Sequence, residues 1–256
     1  MKQALHLILL CAILVLGACS ERREYREALS RAKAAMGEHP DSALLILDSL
    51  GQYEKEFGGH FRMQYFLHHT NAQNKTNVTF TSDSLVRVLT DHFDSHGTTN
   101  ERMLAHYLLG RTLSDMEEAP AALQAYYDAI DCADTTKTGC DYNTLKVIYA
   151  QMSRIFHQQN LPHDEIWALQ HYIDCIQRTS NEEEYIVAKS QLIRPYYLLG
   201  EKDTVLQMIN DTYQSLKRIG KDKRAASILP TAIYRRKIVR NREFLTDKKS
   251  SQDLEG

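Results

Sequence analysis

Met103-Leu104-Ala105-His106-Tyr107-Leu108-Leu109-Gly110-Arg111 opens a stretch that runs to Ala133 and sets Ala122, Tyr126 and Ala129 twelve, sixteen and nineteen residues after Gly110. Intervals of four and three residues put Ala122, Tyr126 and Ala129 on one face of a helix. Gly110 and Ala122 are the small residues two antiparallel helices need where their backbones nearly touch. Tyr126 and Ala129 then fill the groove toward a following pair of helices. The stretch is a helix hairpin whose apolar face is incomplete without neighbours.

Weaker copies flank it. Ile148 to Gln159 with Ile166 to Ile176 supplies Met152-Ser153, Phe156, Ala168, Tyr172 and Cys175. The interval from Ser153 to Ala168 exceeds that from Gly110 to Ala122 by three residues, so an extended turn is expected there. Val187 to Leu199 with Thr204 to Leu216 supplies Tyr197, Leu206 and Tyr213. Upstream, helices are expected over 24–36, 43–50, 61–73 and 85–95, with Asp41-Ser42 and Ser82-Asp83 as N-caps. Centres at His68, Gly110, Ser153 and Arg194 lie 42, 43 and 41 residues apart. Regular units of this size cannot bury their faces singly and must stack into a right-handed solenoid with a concave surface.

The pattern resembles the tetratricopeptide repeat (TPR), with departures at His106, Leu113 and Asp134, where the family places tryptophan, tyrosine and proline. The expected fold class is therefore all-α, a TPR-like α-solenoid of antiparallel helix pairs over residues 19–218. Composition agrees. Only 5 prolines and 11 glycines occur in 256 residues, too few turn residues for a sandwich or barrel. Formal net charge is −2, yet Lys217 to Lys249 holds 12 Lys/Arg against 3 Asp/Glu. Residues 219–256 read as a basic C-terminal helix and disordered tail, suited to an anionic partner or simply to solvent.

The first nineteen residues give an address. A single lysine, an apolar run from Ala4 to Val15 and then Leu16-Gly17-Ala18-Cys19 resemble the lipobox of bacterial lipoproteins. The resemblance implies a signal peptide over 1–18 and a diacylglycerol on the Cys19 sulfur, with palmitate among the acyl chains. The apolar run is shorter than a membrane span. Two or three acyl chains hold a protein at a membrane durably. The chain also looks like exported TPR lipoproteins of Bacteroidetes bacteria. That likeness rests on the lipobox, Pro40-Asp41-Ser42-Ala43-Leu44, Leu47-Asp48-Ser49-Leu50, Ser82-Asp83-Ser84-Leu85, Tyr107-Leu108-Leu109-Gly110-Arg111, Ala122-Leu123 and Gln158-Gln159-Asn160-Leu161-Pro162. It implies an outer-membrane location facing the periplasm or the cell surface, and no nucleic-acid partner. Relatives often continue into a membrane helix and a regulatory domain; this chain reads as a shortened version.

No catalytic set stands out: HExxH, Gly-x-Ser-x-Gly, P-loop and Gly-x-Gly-x-x-Gly motifs are missing from the sequence. No metal or cofactor is assigned. His68-His69 reads as surface or groove-lining, and His163-Asp164-Glu165 as acids favouring a helix N-terminus. Cys132, Cys140 and Cys175 read as buried thiols, although Cys132 and Cys140 are near enough in sequence to bridge. Asp followed by Ser or Thr and an apolar residue resembles an O-glycosylation acceptor at Ser42, Ser49, Ser84 and Thr204, and helix capping selects the same residues at three of the four.

The TPR resemblance also implies a peptide-binding face along Leu104, Tyr107, Arg111 and Ser114, continued by Arg154 and His157 in the following pair. Such a stripe suits a carboxylate through charge-assisted hydrogen bonds. The expected function is a non-catalytic, lipid-anchored scaffold for a protein or peptide partner in the cell envelope. A ligand-sensing ectodomain, and a subunit of an envelope glycan-binding or hydrolytic system, are the alternatives.

Overall fold

A computed structural model describes residues 23–136, 138–179 and 182–228. The signal peptide, Cys19 and the tail beyond 228 lie outside the described residues. Those described form helices joined by turns, and no strand occurs among them. None of these helices is long and apolar enough to cross a membrane. The chain divides into two compact units, the first ending at Thr135 and the second beginning at Thr136.

The first unit contains α1 (23–35), α2 (Pro40–Gly51), α3 (Gly59–Lys75), α4 (Ser84–His96), α5 (Thr99–Asp115) and α6 (Ala119–Cys132). Pro40 starts α2, where a missing N–H costs nothing. His39 is the N-cap and no side chain caps the helix, so Asp41-Ser42 falls inside the first turn rather than before it. Asp83 is the N-cap of α4 without accepting a capping bond; its carboxylate takes Arg87 instead, 2.5 Å away. The firmest start is at α5, where the Thr98 hydroxyl accepts from Glu101 N–H and the Glu101 carboxylate accepts from Thr98 N–H. This capping box satisfies two orphan donors at once.

Leu29, Ala32, Ala43, Leu47, Leu50, Phe57 and Tyr65 make one core among α1, α2 and α3. Phe57 is its hub, edge-on to Tyr25, Phe61 and Tyr65 at centroid distances of 5.6, 5.0 and 5.2 Å. Such pairs add to the stabilisation that area burial gives. His68 is buried within α3 instead of lying on a surface, while its neighbour His69 reaches Asp48 at 2.8 Å. Burial beside Lys33 pushes the His68 imidazole down to about 4, so it is neutral at pH 7.

The second unit contains α7 (Tyr142–Gln158), α8 (Pro162–Thr179), α9 (Glu182–Gln191), α10 (Ile193–Leu198), α11 (Lys202–Arg218) and α12 (Asp222–Ile228). The helix expected over 187–199 is broken at Leu192. Pro195 is the reason: it has no N–H to bond back to Gln191, and its ring clashes with that carbonyl. As the third residue of a new helix it incurs neither cost. Leu169, Ile173 and Ile176 of α8 form a core with Ala188 of α9 and Leu192, and Ile186, Leu216 and Ala225 make a second cluster from α9, α11 and α12.

One turn recurs. After α5, α7 and α10 come three residues, the middle one left-handed: Glu117 (φ 63°), Asn160 (φ 54°) and Gly200 (φ 80°). The next N–H reaches back five residues, from Glu118 to Leu113 O and Leu161 to Phe156 O at 2.9 Å, and Glu201 to Tyr196 O at 3.1 Å. This Schellman closure satisfies a carbonyl that the helix end leaves open. Asn77 (φ 62°) ends α3 in the same way. The left-handed residues stand 40, 43 and 40 apart in the sequence, close to the period of the helix centres.

Candidate functional site

The turns correct the register of the repeat. The turn between α7 and α8 is as long as that between α5 and α6, so the extended turn expected after Ser153 does not exist. Aligned on their left-handed residues, Ser153 corresponds to Gly110, and Glu165 rather than Ala168 corresponds to Ala122. Leu169 then takes the place of Tyr126. Glu165 therefore stands where the first pair has a methyl group.

In the α5/α6 pair the fit is tight. A Cβ on Gly110 would lie 2.5 and 2.6 Å from ring carbons of Tyr126 and 3.1 Å from the Ala122 carbonyl. Gly110 is required here by space, not by backbone conformation. Ala122, Tyr126 and Ala129 are fully buried.

The α7/α8 pair opens instead. Glu165 is 3% exposed, yet its carboxylate receives two partners. The His157 ring Nδ1 lies 2.9 Å from Oε1, and Arg194 Nη1 donates to Oε2 at 2.7 Å. Arg194 also donates through Nη2 to Asn160 Oδ1 at 3.0 Å, tying α10 to the left-handed turn residue. A buried carboxylate is tolerated only when paired in this way. Reading His163-Asp164-Glu165 as cap acids missed this: Glu165 faces inward because the register makes it the contact residue of α8.

Around the pair lies a cavity of about 740 Å³, lined by Ser153, Arg154 and His157 of α7, Glu165 of α8, and Arg194 and Tyr197 of α10 among others. Arg154 is exposed, and Tyr197 is 46% exposed. The mouth is thus two guanidiniums, an imidazole and a phenol around one buried acid. That combination can meet an anionic or hydrogen-bonding group, and Ala150, Leu169 and Ile193 add apolar surface to the same cavity. The volume suits a side chain or a short length of peptide.

The anticipated stripe divides between the units. Arg154 and His157 line this cavity. In the first unit Tyr107 is 5% exposed, its hydroxyl accepting from Asn74 Nδ2 at 3.1 Å. Arg111 is ion-paired with Asp115, whose other oxygen accepts from Phe80 N–H at 3.0 Å. Leu104 and Ser114 are half-buried on the same helix. The structure gives Tyr107 and Arg111 internal partners. Sequence reasoning missed Glu165 and Arg194. The twelve-residue step from Ser153 would have found the first, whereas nothing local marks the second.

Elsewhere, Ser42, Ser49 and Ser84 are exposed or nearly so and Thr204 is half-buried. Ser49 Oγ donates to Leu45 O at 2.9 Å within α2. No disulfide joins Cys132, Cys140 or Cys175. Burial, with Asp174 and Cys140 adding, pushes the Cys175 thiol up to about 11, which makes it a core group and not a nucleophile.

No protein-family model matches the sequence, and no curated protein matches it. Solved structures do. The chain is similar to the nearly identical TPR-like repeats of a kinesin light chain-like protein from Podosopora anserina, with a TM-score of 0.55 and 10% identity over 77% of this chain and 96% of that one. A single-substitution form of the same protein gives 0.56, again at 10% identity, over 77% and 97%. Identity this low speaks for fold alone. With its paired helices and recurring turn, the chain has an all-α, TPR-like helical-repeat fold.

Proposed function

We propose that this chain is a non-catalytic scaffold that holds a protein or peptide partner through the cavity of its second unit. The observation that carries the reading is Glu165, set at a helix-contact position and bound to His157 and Arg194. It lines a cavity at the contact that the first pair closes with Ala122 and Tyr126. Arg154, exposed where it lines the cavity, would meet an acidic side chain or C-terminal carboxylate of the partner. Lipidation of Cys19 would concentrate that cavity at a membrane of the cell envelope, in keeping with the lipobox. Leu104, Tyr107, Arg111 and Ser114 would then support the first unit, with Arg111 committed to Asp115. Glycosylation at Ser42, Ser49 and Ser84 would fall on helix positions open to solvent.

Screening the purified chain against peptides that end in acidic residues tests the binding. Arg154→Glu should remove the interaction while leaving helical content unchanged; retained binding would refute the assignment. Arg111→Glu is the poorer probe, because it sets two carboxylates side by side. Palmitate labelling in a bacterial host that is lost in Cys19→Ser tests the anchor.

A further inference from the structure

A second cluster of chemistry-bearing side chains lies in the first unit, remote in sequence from the cavity residues. Asp94 near the end of α4, His106 in α5 and Cys132 at the end of α6 bring a carboxylate oxygen, a ring nitrogen and a sulfur within 4.8 Å of one another. Three separate helices supply them, so packing and not local sequence makes the arrangement. His106 Nε2 lies 2.9 Å from Asp94 Oδ1, and the histidine side chain is 13% exposed. Its other nitrogen, Nδ1, is buried without a hydrogen-bond partner, so no protein group fixes the proton on that side of the ring.

The field favours a cation. Burial raises the Cys132 thiol, and Asp94, Asp128 and Asp131 nearby raise it further against the opposing charge of Arg102. The Asp94 side chain is 49% exposed, which leaves an approach from solvent. Tetrahedral zinc, with bonds of about 2.0–2.3 Å, keeps ligand atoms roughly 3–4 Å apart. Small side-chain rotations therefore reach it. Mixed sulfur, nitrogen and oxygen donors are a zinc set rather than a calcium or magnesium one.

We propose that Asp94, His106 and Cys132 form a three-ligand zinc site whose fourth position takes water or a partner's side chain. Binding replaces the thiol proton, which goes to solvent, with the cation. Thiolate and carboxylate together neutralise the metal's charge. Affinity therefore falls as pH falls. Zinc would also clamp α4, α5 and α6 together.

The full chain, purified in detergent and reduced, is titrated with cobalt(II) as the spectroscopic probe and then with zinc. One equivalent of cobalt should give thiolate-to-metal charge-transfer absorption, abolished by zinc and by Cys132→Ser. His106→Gln should weaken binding by roughly tenfold or more, while Cys140→Ser and Cys175→Ser leave it unchanged. Zinc should raise the melting temperature of the parent chain and not of Cys132→Ser. Because Cys132 ends its helix and is only half-buried, the serine form is expected to fold, as circular dichroism will show. A charge-transfer band unchanged in Cys132→Ser, or no binding at micromolar metal, would overturn the site.

Discussion

The α5/α6 and α7/α8 pairs share a turn, a hydrogen-bond closure and a twelve-residue step, yet one is sealed and the other open. In the first, Gly110, Ala122 and Tyr126 let two helices approach until no Cβ fits. In the second, Ser153, Glu165 and Leu169 occupy those places, and all three line a cavity that has a buried carboxylate in its wall. The lesson is that the turn sets the register and the residues in register decide between a tight contact and a cavity. One substitution class, small to ionised, separates the tightly packed pair from the one with a cavity.

The comparison breaks first at Gly110. Gly110→Val should cost at least about 3 kcal/mol, since the Tyr126 ring has no room to move in a close-packed core. Ser153→Val, facing the cavity, should cost about 1 kcal/mol or less. Urea denaturation of both variants measures the contrast, and equal losses would mean that the two pairs are packed alike.

The buried polar groups differ next. His68 in the first unit is held neutral, with its imidazole lowered from 6.5 to about 4. The unfolded chain therefore binds a proton that the folded chain refuses. Stability is full above pH 6.5 and should fall by about 3 kcal/mol as pH drops toward 4. His68→Leu should flatten that part of the profile. A parent profile that stays level from pH 7 to 4 would count against a neutral buried ring.

Within the open pair, the two partners of the ion pair are unequal. Arg194→Ala strands the Glu165 carboxylate and should cost about 2–3 kcal/mol. Glu165→Ala restores the residue type of the sealed pair and leaves Arg194, 35% exposed, free to reach water; about 1 kcal/mol is expected. The reverse order in a thermal melt would show that the charge is not what holds the cavity.

The smallest effect sharpens the turn itself. Glu117 adopts φ 63° with a Cβ, so Glu117→Gly should stabilise the chain by about 1 kcal/mol. Asn160→Gly should not, because it forfeits the bond from Arg194 at 3.0 Å. A gain of equal size at both positions would remove the turn from the account of the cavity.

Much of the fold was legible because helical periodicity and small-residue spacing are local. Gly110, Ala122, Tyr126 and Ala129 announce a close helix pair by interval alone, and Pro120 and Pro162 both lie in the first turn of a helix. Thr98 and Glu101 carried a capping box that the reading overlooked. The break at Leu192 was present in Pro195, and the register of α8 could have been counted from Ser153.

The sequence alone determined that this is a chain of helix pairs, since periodicity and spacing act within one helix or between neighbours. The lipobox resemblance around Cys19, outside the described residues, gives it an expected place. Tertiary structure decided which polar residues matter. Glu165 meets Arg194 across 29 residues, and Asp94, His106 and Cys132 converge from three helices. Those meetings depend on helix register and packing, where a single-residue slip redirects a side chain by about 100°.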